Sequence, residues 1–228
     1  MNGAALPTGR RSGVLALPRS LGGRQRRRIG LLGGSFNPAH GGHLHVSRLA
    51  LKRLGLDEVW WLVSPQNPLK PVRGMAPFAE RFAGAEAVAA ADPRIKVTDL
   101  EARLGTRYTA DTLIELRRRF PAMRFVWLMG ADILPQIRRW ERWRDVFRAV
   151  PIAVFARPTY SLRGLSDLAA RRFARWRVPP QAARDLAGME PPAWVFFPTR
   201  LDTRSATEIR SREAALRKAA SLRRKRTR

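Results

Sequence analysis

The chain has 228 residues, 45% of them hydrophobic, which suits one domain of ordinary size with a packed core. It has no cysteine, so disulfides and thiolate metal sites are excluded, and no apolar run is long enough to span a bilayer. The net charge of +26 suggests a nucleic-acid partner, but much of the excess falls in two ends, "GRRSGVLALPRSLGGRQRRR" and "LRKAASLRRKRTR".

Residues 1–27 and 217–228 read as basic, disordered extensions, with the body between them at 28–216. No acidic residue precedes Asp57. An Arg-rich, acid-free start also resembles an organelle transit peptide, but a plain basic extension or an upstream start codon fits better. The apolar piece "GVLALP" is too short for a secretory signal, so a cytoplasmic protein is expected.

The body opens with "RIGLLGG", a short apolar run ending in glycines, which predicts a buried strand entering a tight turn. "GHLHVSRLALKRLGL" predicts a helix whose apolar face carries Leu44, Val46, Leu49, Leu54 and Leu56. "DEVWWLVSP" predicts a strand, "QNPLKPVRGM" a loop, and "PFAERFAGAEAVAAAD" a helix with Pro77 in its first turn. "RIKVTDLE" reads as a strand, and "TADTLIELRRRF" as a helix capped at Thr109 with Thr112 in its first turn. "MRFVWLMGAD" reads as a strand, "ILPQIRRWERWRDVFRAV" as one or two short helices broken at Pro135, and "PIAVFARP" as a strand. From Thr159 to Pro192 the pattern is less periodic and reads as loops and short helix; "AWVFFP" is a last strand and "SATEIRSREAALRKAA" a last helix. This alternation predicts an α/β fold, a Rossmann-like doubly wound parallel sheet. In such sheets ligands sit beyond the carboxyl ends of the strands, where the strand order reverses. The loops after Leu32, Val63, Leu128 and Phe197 are therefore the ones to watch.

All three histidines, His40, His43 and His45, fall in "IGLLGGSFNPAHGGHLHVS". The segment joins a strand to a helix, and the first turn of a helix offers free N–H groups and a positive dipole end to a phosphate. Its spacing fits neither the dinucleotide-binding nor the P-loop glycine pattern. His40 and His43 lie three apart across the helix start and can face one point, whereas His45 should point elsewhere. The ordinary alternative is a capping loop with surface histidines.

His40-Gly41-Gly42-His43, led by Gly34-Ser35-Phe36-Asn37-Pro38, resembles the signature of the nucleotidyltransferase superfamily that carries His-x-Gly-His. "RSATEIRSR", Arg204 to Arg212, resembles the same superfamily's carboxyl-terminal signature at Ser205, Thr207 and Arg210, with Arg204 where isoleucine is usual. The resemblance makes 28–216 a nucleotidyltransferase domain. It implies ATP binding by Gly33, Gly34, Ser35, Phe36, His40, His43, Asp132, Ser205, Thr207 and Arg210, with His40, His43 and Arg210 catalytic. "SPQNPLK", "YTADTL" and "GADILPQIRRWERW" are similar to the bacterial nicotinate-nucleotide adenylyltransferases. These join nicotinate mononucleotide to the AMP part of ATP and release pyrophosphate, a late step in NAD synthesis. That implies substrate binding by Lys70, Thr109 and Trp140, and Mg²⁺ held mainly through the ATP phosphates. Each has an ordinary reading too: Trp140 as core, Asp132 as a helix cap, Lys70 as a solvated charge. Glu141 stands where the family often has a second aromatic, which leaves the role of Trp143 open. Sister enzymes acting on nicotinamide mononucleotide or phosphopantetheine are the alternatives. A nucleic-acid binder on a degenerate nucleotidyltransferase fold is a more distant one.

Overall fold

The computed structural model describes residues 26–66, 74–156 and 163–198. Seven strands form one sheet: β1 (Arg28–Gly34), β2 (Glu58–Val63), β3 (Ile95–Thr98), β4 (Arg124–Gly130), β5 (Ile152–Phe155), β6 (Arg177–Val178) and β7 (Trp194–Phe197). Every pairing is parallel and the order is β3-β2-β1-β4-β5-β7-β6. The order reverses between β1 and β4, which pair directly with Leu32 beside Leu128.

Period-two alternation divides each strand between two cores. The tryptophan pair of β2 shows it: Trp60 joins Leu31, Trp127 and Val154 on one face, and Trp61 joins Leu32, Leu128 and Ala153 on the other. Helices α3 (Leu100–Leu104), α4 (Thr109–Arg119), α5 (Trp143–Ala149) and α6 (Leu168–Arg172) cover the first face. Helices α1 (Gly41–Leu54) and α2 (Phe78–Ala89), with the 3₁₀ segment Pro180–Gly188, cover the second. Trp143 meets Phe147 and Phe173 edge-on, packed against the first face.

Several boundaries differ from the sequence reading. Helix α1 stops at Leu54 because Gly55 takes the left-handed conformation at φ 60°, so Leu56 is buried from outside the helix. The strand in "RIKVTDLE" ends at Thr98, whose hydroxyl accepts the Leu100 N–H at 3.2 Å and starts α3. Thr109 does not cap α4. It is the first helical residue, Tyr108 is the N-cap without a side-chain bond, and the hydroxyls of Thr106 and Thr112 meet at 2.8 Å. Pro77 is an N-cap rather than a first-turn residue. The break at Pro135 separates two 3₁₀ turns, Ala131–Ile133 and Ile137–Arg139, ahead of α5. Strand β6, read as loop, is a two-residue edge strand too short to leave a periodic signal.

Candidate functional site

The reversal of strand order places the ends of β1 and β4 side by side, so the loops leaving them border one crevice. After β1 the chain crosses Ser35 to Ala39 and enters α1 through His40. After β4 it makes the 3₁₀ turn that carries half-buried Asp132.

His40 is the N-cap of α1, extended at φ −154° and ψ 170°. Its Nδ1 accepts the Gly42 N–H at 3.1 Å, while its own N–H donates to His43 Nδ1 at 3.2 Å. The two residues cap one another as a Ser-Glu capping box would. A neutral imidazole that accepts at Nδ1 carries its proton on Nε2. The cap thus sets the tautomer of both rings and makes each Nε2 a donor. The rings lie 4.0 Å apart, centroid to centroid. No acidic residue occupies the first turn of α1, so no side chain there offsets the positive end of this 14-residue helix. His45 is exposed on the helix surface.

Phe36 holds this arrangement from beneath. It takes φ 46°, a left-handed conformation unusual for so bulky a residue. Its ring is buried, stacked on Trp61 at 5.1 Å and tilted against His43 at 4.8 Å. Trp61 Nε1 donates to Ser47 Oγ at 2.8 Å, and that hydroxyl donates to the His43 carbonyl at 2.9 Å. The His43 ring and backbone are therefore both fixed from the core. The sharp turn falls at Phe36 rather than at the glycine pair, since Gly33 and Gly34 complete β1 with neither at positive φ. Gly33 is needed for another reason: a Cβ there would collide with the Trp127 ring.

Two buried polar atoms here have no hydrogen-bond partner among the described residues: Ser35 Oγ and Trp127 Nε1. An orphaned buried hydroxyl in a loop of this kind suits a site completed by a ligand. Half-buried Trp140 meets Trp127 edge-on at 6.5 Å, and Thr109 is half-buried at the start of α4. The structure thus brings Gly33, Gly34, Ser35, Phe36, His40 and His43 into one loop and helix start, with Asp132 on the neighbouring strand's loop. Lys70, Ser205, Thr207 and Arg210 lie outside the described residues.

The sequence reading missed three side chains at the adjoining end of β2. Ser64 follows that strand, and its N–H donates to Gly34 O at 3.0 Å. Its hydroxyl bonds the carboxyl of Glu101 from α3. Its carbonyl accepts from Arg81 of α2 at 2.9 Å. Arg81 shares a helical stripe with buried Ala85 and Ala89, so a charge on the inward face was the available signal.

Burial pushes the Glu101 carboxyl up to about 7 from its ordinary 4.5, against the opposing pull of the Ser64 bond. The unfolded chain ionises this group near 4.5 while the folded chain keeps it protonated to about 7, so stability falls as pH rises through that window. Glu101→Gln is therefore expected to be more stable than the parent at pH 8 by about 1–3 kcal/mol and indistinguishable from it near pH 4. Thermal melts at the two pH values check this; a difference that does not change with pH rejects it.

A family model described as cytidylyltransferase-like matches residues 31–212. A protein of Parvibaculum lavamentivorans named "Probable nicotinate-nucleotide adenylyltransferase" is 55% identical over 185 residues, covering 81% of this chain and 92% of its own. A protein of the same name from Methylorubrum extorquens is 54% identical, covering 81% of this chain and 100% of its own. Among solved structures, the Plasmodium falciparum nicotinic acid mononucleotide adenylyltransferase complexed with NaAD superposes with a TM-score of 0.61 at 16% identity. That match covers 81% of this chain and 83% of the other, and at such identity it is a likeness of fold. Among the described residues no helix is long and apolar enough to cross a membrane.

Proposed function

The chain belongs to the cytidylyltransferase-like family, and from that premise we propose that it transfers the adenylyl group of ATP to nicotinate mononucleotide. The products are nicotinate adenine dinucleotide and pyrophosphate. The observation that carries the substrate is the 55% identity, over nearly the whole body, to a relative bearing that name.

The reaction is an in-line attack by the mononucleotide phosphate on the α-phosphorus of ATP. The bond to the pyrophosphate oxygen breaks as the new phosphoanhydride forms. No covalent enzyme intermediate is needed, so catalysis rests on positioning and on stabilising charge. The Nε2–H groups of His40 and His43 donate to the charge that develops on the transferring phosphoryl and the departing pyrophosphate. The N-terminus of α1 and the Ser35 hydroxyl receive phosphate oxygens, and the backbone of Gly33, Gly34 and Phe36 lines the approach. Asp132 accepts from the adenosine ribose. Ser205, Thr207 and Arg210 take the phosphates from the carboxyl-terminal side, with Arg210 clamping the leaving pyrophosphate. Lys70 meets a phosphate, while Thr109 and Trp140 receive the nicotinate carboxylate and ring. Magnesium enters as part of the substrate, MgATP. In that substrate the cation is carried mainly by phosphates and water.

The test is product detection. Purified chain with MgATP and nicotinate mononucleotide should yield nicotinate adenine dinucleotide and pyrophosphate. Parallel reactions with nicotinamide mononucleotide and phosphopantetheine should run more slowly or not at all. A preference for either rival would move the chain to a sister specificity.

A further inference from the structure

Arg81 is 3% exposed, and no step described so far uses it. Its guanidinium meets no carboxylate among the described residues. Nε donates to Ala76 O at 3.0 Å, Nη1 to Ser35 O at 2.6 Å and Ser64 O at 2.9 Å, and Nη2 to Pro65 O at 2.9 Å. Burial of the charge with no acid beside it draws its pKa below the ordinary arginine value. Buried arginines are ordinarily paired, because a lone cation in a low-dielectric interior is costly.

The four acceptors come from three segments separated in sequence: the loop after β1, the loop after β2 and the entry to α2. Asn37 ties the same seam, donating to Gly74 O at 3.2 Å and accepting from the Ala76 N–H at 3.4 Å. The planar fork of guanidinium can bridge these segments at once, which a single ammonium cannot. A Ser35 carbonyl engaged by a buried cation is also not turned toward an incoming phosphate, and the cation sits against the loop that leads into α1.

We propose that Arg81 is a positioning residue for the transferred phosphates: it locks the Ser35 and Ser64–Pro65 loops together and lends them a positive charge that bound polyphosphate balances. This rests on the adenylyl-transfer reading above. The residue acts through Ser35, Ser64 and Pro65, without touching the reacting atoms.

Arg81→Lys and Arg81→Ala are to be assayed in the full chain, at a temperature where circular dichroism shows each still folded. Misplacement of the loop should lower kcat about 10- to 100-fold in both, with KM for nicotinate mononucleotide changing less. The Tm rise produced by MgATP should shrink in Arg81→Ala and survive partly in Arg81→Lys, which keeps the charge. Millimolar guanidinium, but not sodium chloride at equal ionic strength, should restore turnover to Arg81→Ala. A folded Arg81→Lys whose kcat and both KM values stay within about threefold of the parent overturns the proposal. So does an Arg81→Ala variant that loses only Tm. If Arg81→Ala does not fold, Arg81→Lys decides alone. If the parent itself binds MgATP but makes no dinucleotide, the substrate assignment fails, and the MgATP-induced Tm rise still decides the case of Arg81. A rise undiminished in the variants refutes the proposal, and a diminished one supports it.

Discussion

Replacing His43 by alanine is expected to lower kcat about 100-fold or more while leaving KM for ATP within a few-fold, as for loss of one transition-state donor. The fold should barely notice. Position 43 is the third residue of α1, where alanine is the best helix former. The stack of Phe36 on Trp61 and the Trp61–Ser47 bond do not depend on the imidazole. The structural losses include the acceptor for the His40 N–H, at 3.2 Å at the helix start, and the ring contacts with Phe36 and His40. A large fall in turnover beside only a small fall in melting temperature would thus isolate the chemistry of Nε2. Steady-state kinetics with circular dichroism of the same preparation make the measurement. A variant with near-normal turnover would remove His43 from the mechanism.

What the sequence disclosed about this site follows from how local each feature is. The imidazole pair was legible because its geometry needs only a spacing of three across a helix start and a capping position, both written in consecutive residues. The parallel sheet was legible because buried strands alternating with helical periods leave few other architectures. Strand order was not legible, since it depends on which strand docks beside β1, and neither was the meeting of Gly34 with Ser64 that follows from it. The roles of Arg81 and Glu101 failed for the same reason. Glu101 reads as the end of a strand, and the inward stripe of α2 shows Arg81 as a buried charge without naming the distant loops it joins. Phe36 misled in another way. Chemistry points to glycine as the residue that turns the backbone, whereas the positive φ is borne by a phenylalanine whose ring is locked between Trp61 and His43. Tertiary packing there overrides local preference, as it does at functional sites elsewhere.

In the proposed mechanism His40 performs two tasks with two nitrogens, and a single substitution can separate them. Nδ1 caps α1 by accepting the Gly42 N–H at 3.1 Å, and Nε2 is the proposed donor to the phosphates. Asparagine is among the best N-cap residues, and its side-chain oxygen can accept the same kind of bond from the first turn, so His40→Asn keeps the cap. Alanine cannot, and His40→Ala should lose about 1 kcal/mol of stability. Both variants lack a donor at the reach of Nε2, so both should lose kcat about 100-fold or more. The pair therefore predicts a split: Tm preserved in asparagine and lowered in alanine, with turnover lost in each. Adding His43→Ala to His40→Asn should cost much less than the product of the two single losses, because groups that stabilise one transition state together fail together. Should His40→Asn retain wild-type turnover, the residue is a cap and nothing more, and the burden of charge stabilisation passes to His43 and the N-terminus of α1.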